Sequence, residues 1–268
     1  MVMTELAEDL RAEGNELHAL LLTLSNDDWQ RPTPFKAWTV EAVIRHLLVG
    51  DWMNALSLTD PDRFIDTLKR RNTARSEGQE VSGLEYMDDD PGSADQLCAK
   101  WYRHQQELCD LYATCNPKTR MKWVGPDMSV RSGATARLME TWAHGQDVYD
   151  LLQEPRTPTD RIRNIATLGV NTYLWTFQNR GQNPPGPVPH VRLIAPSDVT
   201  WTWTWNKPSE TNLVEGAAVE FCHVVTQGRN IADVNLKVVG DVATKWMSIA
   251  QCFAGKPEDP PAPGHRAW

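Results

Sequence analysis

The chain is predicted to be α+β, with a helical bundle over residues 1–180, a smaller α+β domain over 190–256 and an irregular tail over 257–268. Three observations carry this. Apolar residues recur at helical spacing through most of the first 180 positions, where strand signal is slight. The segment "GQNPPGPVP", residues 181 to 189, packs four prolines and two glycines into nine positions and breaks the style of the chain. Beyond it, "VTWTWTW" alternates Val199, Trp201, Trp203 and Trp205 with three threonines, the period of a two-faced strand with an aromatic face.

The first helix is expected over Thr4–Leu24, where Leu6, Leu10, Leu17, Leu20, Leu21 and Leu24 recur until "SNDD" stops the pattern. Thr39 caps a second helix whose Val40, Val43, Ile44, Leu47 and Leu48 form an apolar stripe, with His46 at its edge. The basic run Lys69, Arg70, Arg71 and Arg75, followed by acidic Glu77, Glu80, Glu85 and Asp88 to Asp90, reads as a solvated, mobile connection. Ser93 and Gln96, three apart, fit a capping box that opens a third helix running to about Tyr112. A fourth starts near Ser132 or Ala134 and reaches about Leu152, and a further helix is expected from Asp160 to about Gln178. Four or five helices on modest loops make a bundle. In the C-terminal part "VRLIAP" reads as a strand and "LVEGAAVEFCHVV" as strand then helix. "DVATKWMSIAQCFAG" reads as a terminal helix with Asp241 as N-cap and Gly255 as C-cap.

Composition narrows the function. A formal charge of −8 and a pI near 5.4, without a basic stripe, argue against a nucleic-acid partner. The acidic N-terminus and the absence of long apolar runs lead to the expectation of a cytoplasmic protein with no membrane partner. Five cysteines without a C-x-x-C pair suggest neither a disulfide framework nor a thiolate zinc site, but reduced, packed thiols.

The stretch "METWAHGQDVYD" carries Glu140, His144 and Asp147 at intervals of four and three. On a helix they fall within about 60° of one another and share a face. A carboxylate and an imidazole so placed can bind one metal ion if another helix brings a third ligand, for which His46 is the candidate. Two histidines and one carboxylate leave positions open on zinc and equally suit a non-haem Fe(II) site. Gln146 or Asp147 could orient a ligand from behind. The same spacing is also that of an ordinary wet helix face, so the residues alone leave both readings standing. Arg229 in "VTQGRN" offers a fork for a carboxylate. Cys222 and Cys252 read as core, and the tryptophans at 201 to 205 either line an apolar cavity or pack on helices.

"AWTVEAVIRHLL" resembles the tryptophan-containing, histidine-bearing second helix of the DinB-like superfamily, in particular the metal-binding domain of mycothiol-dependent maleylpyruvate isomerase. "ATARLMETWAHGQDVYD" is similar to the later helix that supplies that family's Glu and His. "VEGAAVEFCHVVTQGRNIADVNLKVVGDVATKWMSIAQCFAGKP" resembles the C-terminal domain of a subfamily of metal-binding proteins, some described as wyosine-base-formation-like. The resemblance implies a DinB-like four-helix bundle and a sterol-carrier-like C-terminal domain. It also implies a divalent metal on His46, Glu140 and His144, zinc first with iron or nickel as alternatives. It further implies Asp147 or Gln146 behind the ligands and Arg229 on a substrate carboxylate. Where the subfamily shows "TQRR" this chain has "TQGR", so a contact made by the first arginine is missing.

The activity implied is that of a metal-dependent isomerase or transferase. Its substrate would be a small electrophilic or unsaturated carboxylate or carbonyl compound, with a low-molecular-weight thiol as cosubstrate. The thiolate would add to a cis double bond, rotation would follow, and elimination would give the trans product. Two alternatives stand beside it: a thiol-independent metal hydrolase, hydratase or cyclase, and a non-catalytic module for an apolar ligand with a structural metal. The partner is expected to be a small molecule, and the protein a monomer or homodimer.

Overall fold

The computed structural model describes residues 3–79, 81, 83–87 and 92–266; Glu80 and Asp88 to Asp90 of the acidic run and the last two residues of the tail lie outside these. The chain divides into two compact units, Met1–Leu151 and Leu152–Trp268.

The first unit holds α1 (Met3–Leu21), α2 (Val40–Thr59), α3 (Pro61–Ser76), α4 (Ala94–Thr114) and α5 (Val130–Leu152). Helix α4 packs along both α1 and α2, and side chains tie α5 to α2. Leu6, Leu10 and Leu17 of α1, Val43, Ile44 and Leu47 of α2, Leu97, Trp101 and Leu108 of α4, and Val130, Ala134 and Leu138 of α5 are buried between them. The expected caps form: Thr39 Oγ1 accepts the Ala42 N–H at 3.1 Å, and Ser93 and Gln96 close a capping box. A short antiparallel pair, β1 (Arg120–Met121) with β2 (Met128–Ser129), leads into α5.

The basic run expected to be a mobile connection is instead part of α3. The Asp60 side chain accepts the Arg63 N–H and Pro61 sits in the first turn, so the helix start is well specified. Phe64 is buried in a satellite cluster with Val49, Met53 and Leu56, while Lys69, Arg70 and Arg75 lie exposed. The apolar anchors were masked by the charges around them.

The second unit holds α6 (Arg163–Asn171), α7 (Tyr173–Gln178), β3 (His190–Ile194), β4 (Thr202–Trp205), β5 (Leu213–Ala217), α8 (Ala218–Val225), β6 (Lys237–Val239) and α9 (Asp241–Met247). The sheet order is β4-β3-β5-β6; β3 and β5 run parallel and the outer pairs antiparallel. The mixed α and β character agrees with the predicted fold class, but the division falls earlier than residues 181–189. Helix α6 packs on α8, where a Cβ at Gly169 would lie 2.8 Å from Val225 and 3.1 Å from Phe221, so the glycine permits the close approach. The proline-rich segment is held from both sides by this unit: the Tyr173 hydroxyl donates to Gly186 O, and the side-chain amides of Asn212 and Asn206 donate to the carbonyls of Pro187 and Pro189. It is an internal turn of the second unit.

Two helices also end differently from expectation. The helix expected over Asp160–Gln178 is broken at Thr172, where φ and ψ of −91° and 11° leave the helical range although its N–H still reaches Leu168 O at 2.9 Å. The terminal helix stops at Met247: Ser248 N–H still reaches Thr244 O, Ile249 N–H turns to Trp246 O, and Gln251 and Cys252 then give their N–H groups to Thr176 Oγ1 and Val225 O. Asp241 is the first helical residue rather than the cap, and Gly255 lies outside. Of the alternating tryptophans only Trp203 is buried; Val199 and Trp201 are exposed and precede the strand. Trp203 has the Arg163 guanidinium over its ring, 5.7 Å from the centroid. The tail is irregular but strapped down, with Gln227 Nε2 donating to Glu258 O and Gly264 N–H to the Asp233 carboxylate. Among the described residues no helix is long and apolar enough to cross a membrane.

His223 in the last turn of α8 is 1% exposed. Burial, then the charges of Arg229, Arg156 and Arg266, hold its imidazole well below the ordinary value. Below about pH 6.5 the unfolded chain therefore binds a proton that the folded chain does not. Stability from this residue is present above that pH and is lost as pH falls, at up to about 1.4 kcal/mol per pH unit. The expected outcome for His223→Gln is a shallower loss of unfolding free energy between pH 6.5 and 5 than in wild type, measured by denaturant titration across that range.

Candidate metal centre

His46 stands in the second turn of α2, and Glu140 and His144 stand one turn apart on α5. His46 Nε2 lies 2.9 Å from Glu140 Oε2, and His144 Nε2 lies 3.5 Å from the same oxygen. One donor atom from each of the three falls within 4.8 Å of the others. Five residues past His46, Asp51 meets Arg137, three residues before Glu140. The two helices are therefore antiparallel here.

The polar face of α5 is not a wet face. Side-chain exposure falls from 37% at His46 to 22% at Glu140, 10% at His144 and 2% at Asp147. His144 Nδ1–H donates to Asp147 Oδ2 at 3.0 Å, which turns Nε2 toward Glu140. Gln146, the other residue considered for that role, donates instead to Asp150.

The charges follow from this geometry. Burial would push the Glu140 carboxyl up, but the hydrogen bonds from His144 and His46 hold it well below the usual range. Burial lowers His46, only partly offset by Glu140. Burial also opposes charge on His144, yet the bonds to Asp147 and Glu140 raise it to about 9. The metal-free site is thus an ionised carboxylate between one charged and one neutral imidazole. Two imidazole nitrogens and a carboxylate oxygen around one partly open point are a donor set that fits a divalent transition metal with positions to spare.

The loop before α2 supplies a wall. The Trp38 ring stacks on His144 at a centroid distance of 5.8 Å and leans on His46 at 5.4 Å, while Phe35 meets His144 edge-on at 5.0 Å. Between them Lys36 and Ala37 take left-handed φ values of 52° and 55°, and the loop is closed by Thr33 N–H to Trp38 O at 2.7 Å.

Residues 10–149 match the family model for the mycothiol maleylpyruvate isomerase N-terminal domain. The chain belongs to that family. It is also 38% identical over 252 residues to uncharacterised proteins of Mycobacterium tuberculosis strains CDC 1551 and H37Rv, covering 93% of this chain and 95% of each relative. A crystal structure of a mycothiol-dependent maleylpyruvate isomerase superposes with a TM-score of 0.51 at 14% identity, over 84% of this chain and 88% of that one. That likeness is one of fold.

Within this family member, the sequence reading named the three clustered residues and Asp147 but missed their surroundings. Phe35 was not singled out, and Trp38 entered only with the segment "AWTVEAVIRHLL". Arg137 and Asp51 were not singled out, although two signals pointed to them. Gly50-Asp51 interrupts the apolar stripe of α2, and Arg137 shares the helical face of Glu140 and His144. Arg137 Nε donates to Asp51 Oδ1 at 2.8 Å and Nη2 to Leu47 O at 3.2 Å; the Trp101 indole donates to Asp51 Oδ2 at 3.1 Å. Arg229 lies in the second unit, 1% exposed, its N–H on His223 O and its Nη1 on Gly228 O. A Cβ at Gly228 would sit 3.1 Å from His223 Nδ1, so a larger residue there would press on the imidazole, which is what "TQGR" avoids.

In metal-free protein the His144 imidazole is expected to titrate near 9 by NMR. In Asp147→Asn the largest support for its charge is gone, and the value is expected to drop below that of wild type. An unchanged titration would show that Asp147 does not set the state of His144.

Proposed function

We propose that this protein is a metal-dependent isomerase or transferase acting on a small electrophilic, unsaturated carboxylate or carbonyl compound with a low-molecular-weight thiol as cosubstrate. The observation that carries the reading is the convergence of His46 Nε2, Glu140 Oε2 and His144 Nε2 from two helices, with Asp147 fixed behind His144. Such a donor set, with three protein ligands and an open side, is characteristic of catalytic rather than structural metal sites. Zinc is the metal assigned first, with iron or nickel as alternatives. Bound there, it would lower the pKa of a coordinating thiol so that thiolate is available at neutral pH.

The remaining roles belong to the chain. Asp147 keeps the His144 Nδ1 proton in place and so leaves Nε2 as the donor. Glu140 brings a negative charge that offsets part of the ion's charge. His46, the most open of the three, marks the side from which thiol and substrate enter. Phe35 against His144, and Trp38 against both imidazoles, shield those ring faces from water, which strengthens electrostatic interactions at the site.

Thiol use and the isomerase class are supported by the family, whose name carries mycothiol and maleylpyruvate. The test begins with elemental analysis of wild type, His46→Ala and His144→Ala. About one transition-metal ion per chain in wild type and loss in both variants is expected. Turnover of maleylpyruvate and related cis-unsaturated acids is then followed with and without mycothiol. Activity that survives complete metal removal would overturn the metal assignment, and activity independent of added thiol would favour the hydrolase, hydratase or cyclase class. Asp147→Asn is expected to weaken metal binding about 10- to 100-fold in chelator competition.

A further inference from the structure

The ligands come from two helices, so the site exists only if α2 and α5 keep their mutual height and rotation. His46 and Glu140 cannot ensure this themselves, because both are partly exposed and a single contact leaves the helices free to slide or turn. Next to them is a contact of a different kind. Asp51 is fully buried and Arg137 nearly so. The guanidinium makes two bonds to α2, one to the Asp51 carboxylate and one to the backbone carbonyl of Leu47, the neighbour of His46. The second Asp51 oxygen is taken by Trp101 of α4, so the carboxylate itself is held. One turn further along α2, Asn54 donates to Gly50 O at 2.8 Å and accepts the Tyr112 hydroxyl of α4 at 2.9 Å.

Gly50 shows that the sequence makes room for this arrangement. A Cβ there would lie 2.3 Å from Arg137 Nη1, so the guanidinium occupies the volume that any other residue would fill. A glycine inside a helix is unfavourable relative to alanine. It is retained where the fork must lie flat against the α2 backbone.

We infer that Asp51, Arg137 and Gly50 are positioning residues for the metal centre: the buried fork fixes the register of α2 against α5 and thereby sets the distance of His46 from Glu140 and His144. The inference rests on the metal reading for its consequence, not for its geometry. Burial of an ion pair is a weak source of stability, and apolar replacements of similar volume often keep or raise stability. Registry is the property that such a replacement removes.

The test uses the double variant Asp51→Leu/Arg137→Met and the conservative variant Arg137→Lys, whose single ammonium cannot make the forked pair of bonds. Two readouts are taken. In metal-free protein, NMR follows the nuclear Overhauser contact between the His46 and His144 rings, whose centroids are 4.7 Å apart. With Zn²⁺, the dissociation constant is measured by chelator competition, alongside the melting temperature of the metal-free chain. Expected are a melting temperature near wild type in the double variant, a lost ring contact, and Zn²⁺ binding weakened about 10- to 100-fold, with Arg137→Lys intermediate. A stable double variant that keeps both the ring contact and the Zn²⁺ affinity would overturn the inference. If the double variant does not fold, Arg137→Lys decides it in the same way. A wild type that shows the ring contact but takes up no metal would sink the metal reading alone, and the positioning role would then stand or fall on the ring contact.

Discussion

A carboxylate taken out of water must be matched by positive charge or hydrogen bonds, and at Glu140 this demand organises the whole centre. The desolvation of such a group costs several kcal/mol when unpaired. Two imidazoles meet it, at 2.9 and 3.5 Å, and one of them is backed by a second carboxylate at 3.0 Å. The result is an alternation of sign from Glu140 through His144 to Asp147, running from the half-open edge into the bundle. A divalent cation answers the same demand with one compact charge in place of the protons. The arrangement is therefore coherent in both states, and the ring protons that His46 and His144 direct at Glu140 are what a metal ion has to displace.

How the helices came to present these groups was partly written in the sequence. The E-x-x-x-H spacing on α5 and the cap-then-stripe pattern of α2 are local features, and both follow from the helical period. Their meeting is not local. His46 and Glu140 are 94 residues apart, and no spacing rule joins them. The resemblance to family segments supplied that link, and the structure brings the residues together. Asp51 and Arg137 stayed unread for the same reason. Each alone looks like a solvated charge on a helix, and only the long-range contact makes them buried partners.

The second unit shows where local rules lose to tertiary bonds. Residues Ser248 to Phe253 have a good helical pattern, yet the helix ends at Met247, and the Gln251 and Cys252 donors go to Thr176 and Val225. The proline-rich segment has every mark of a linker, yet its carbonyls accept from Tyr173, Asn206 and Asn212. Pro and Gly mark a change of direction, and whether that change lies between units or inside one depends on which groups receive the freed backbone. The three arginines whose charges act on His223 belong to the same class of fact: scattered in sequence, and brought to bear on one imidazole only by the fold.

The loop ahead of α2 joins strain to the chemistry of the centre. Lys36 and Ala37 are consecutive non-glycine residues in the left-handed region, each unfavourable by about 1–3 kcal/mol when judged as an isolated outlier. Glycines at those positions would relieve the backbone, so the strain is held by what surrounds it: the tight closure between Thr33 and Trp38, the bridge between Pro32 and Thr39, and the Thr39 cap that starts α2 immediately after. The conformation turns Phe35 and Trp38 back across the two histidines. A relaxed loop of the same length would free those rings, and water would then reach the imidazoles from the side they now cover. The same loop that holds the strained residues thus sets the dielectric in which Glu140 and His144 keep their opposite charges.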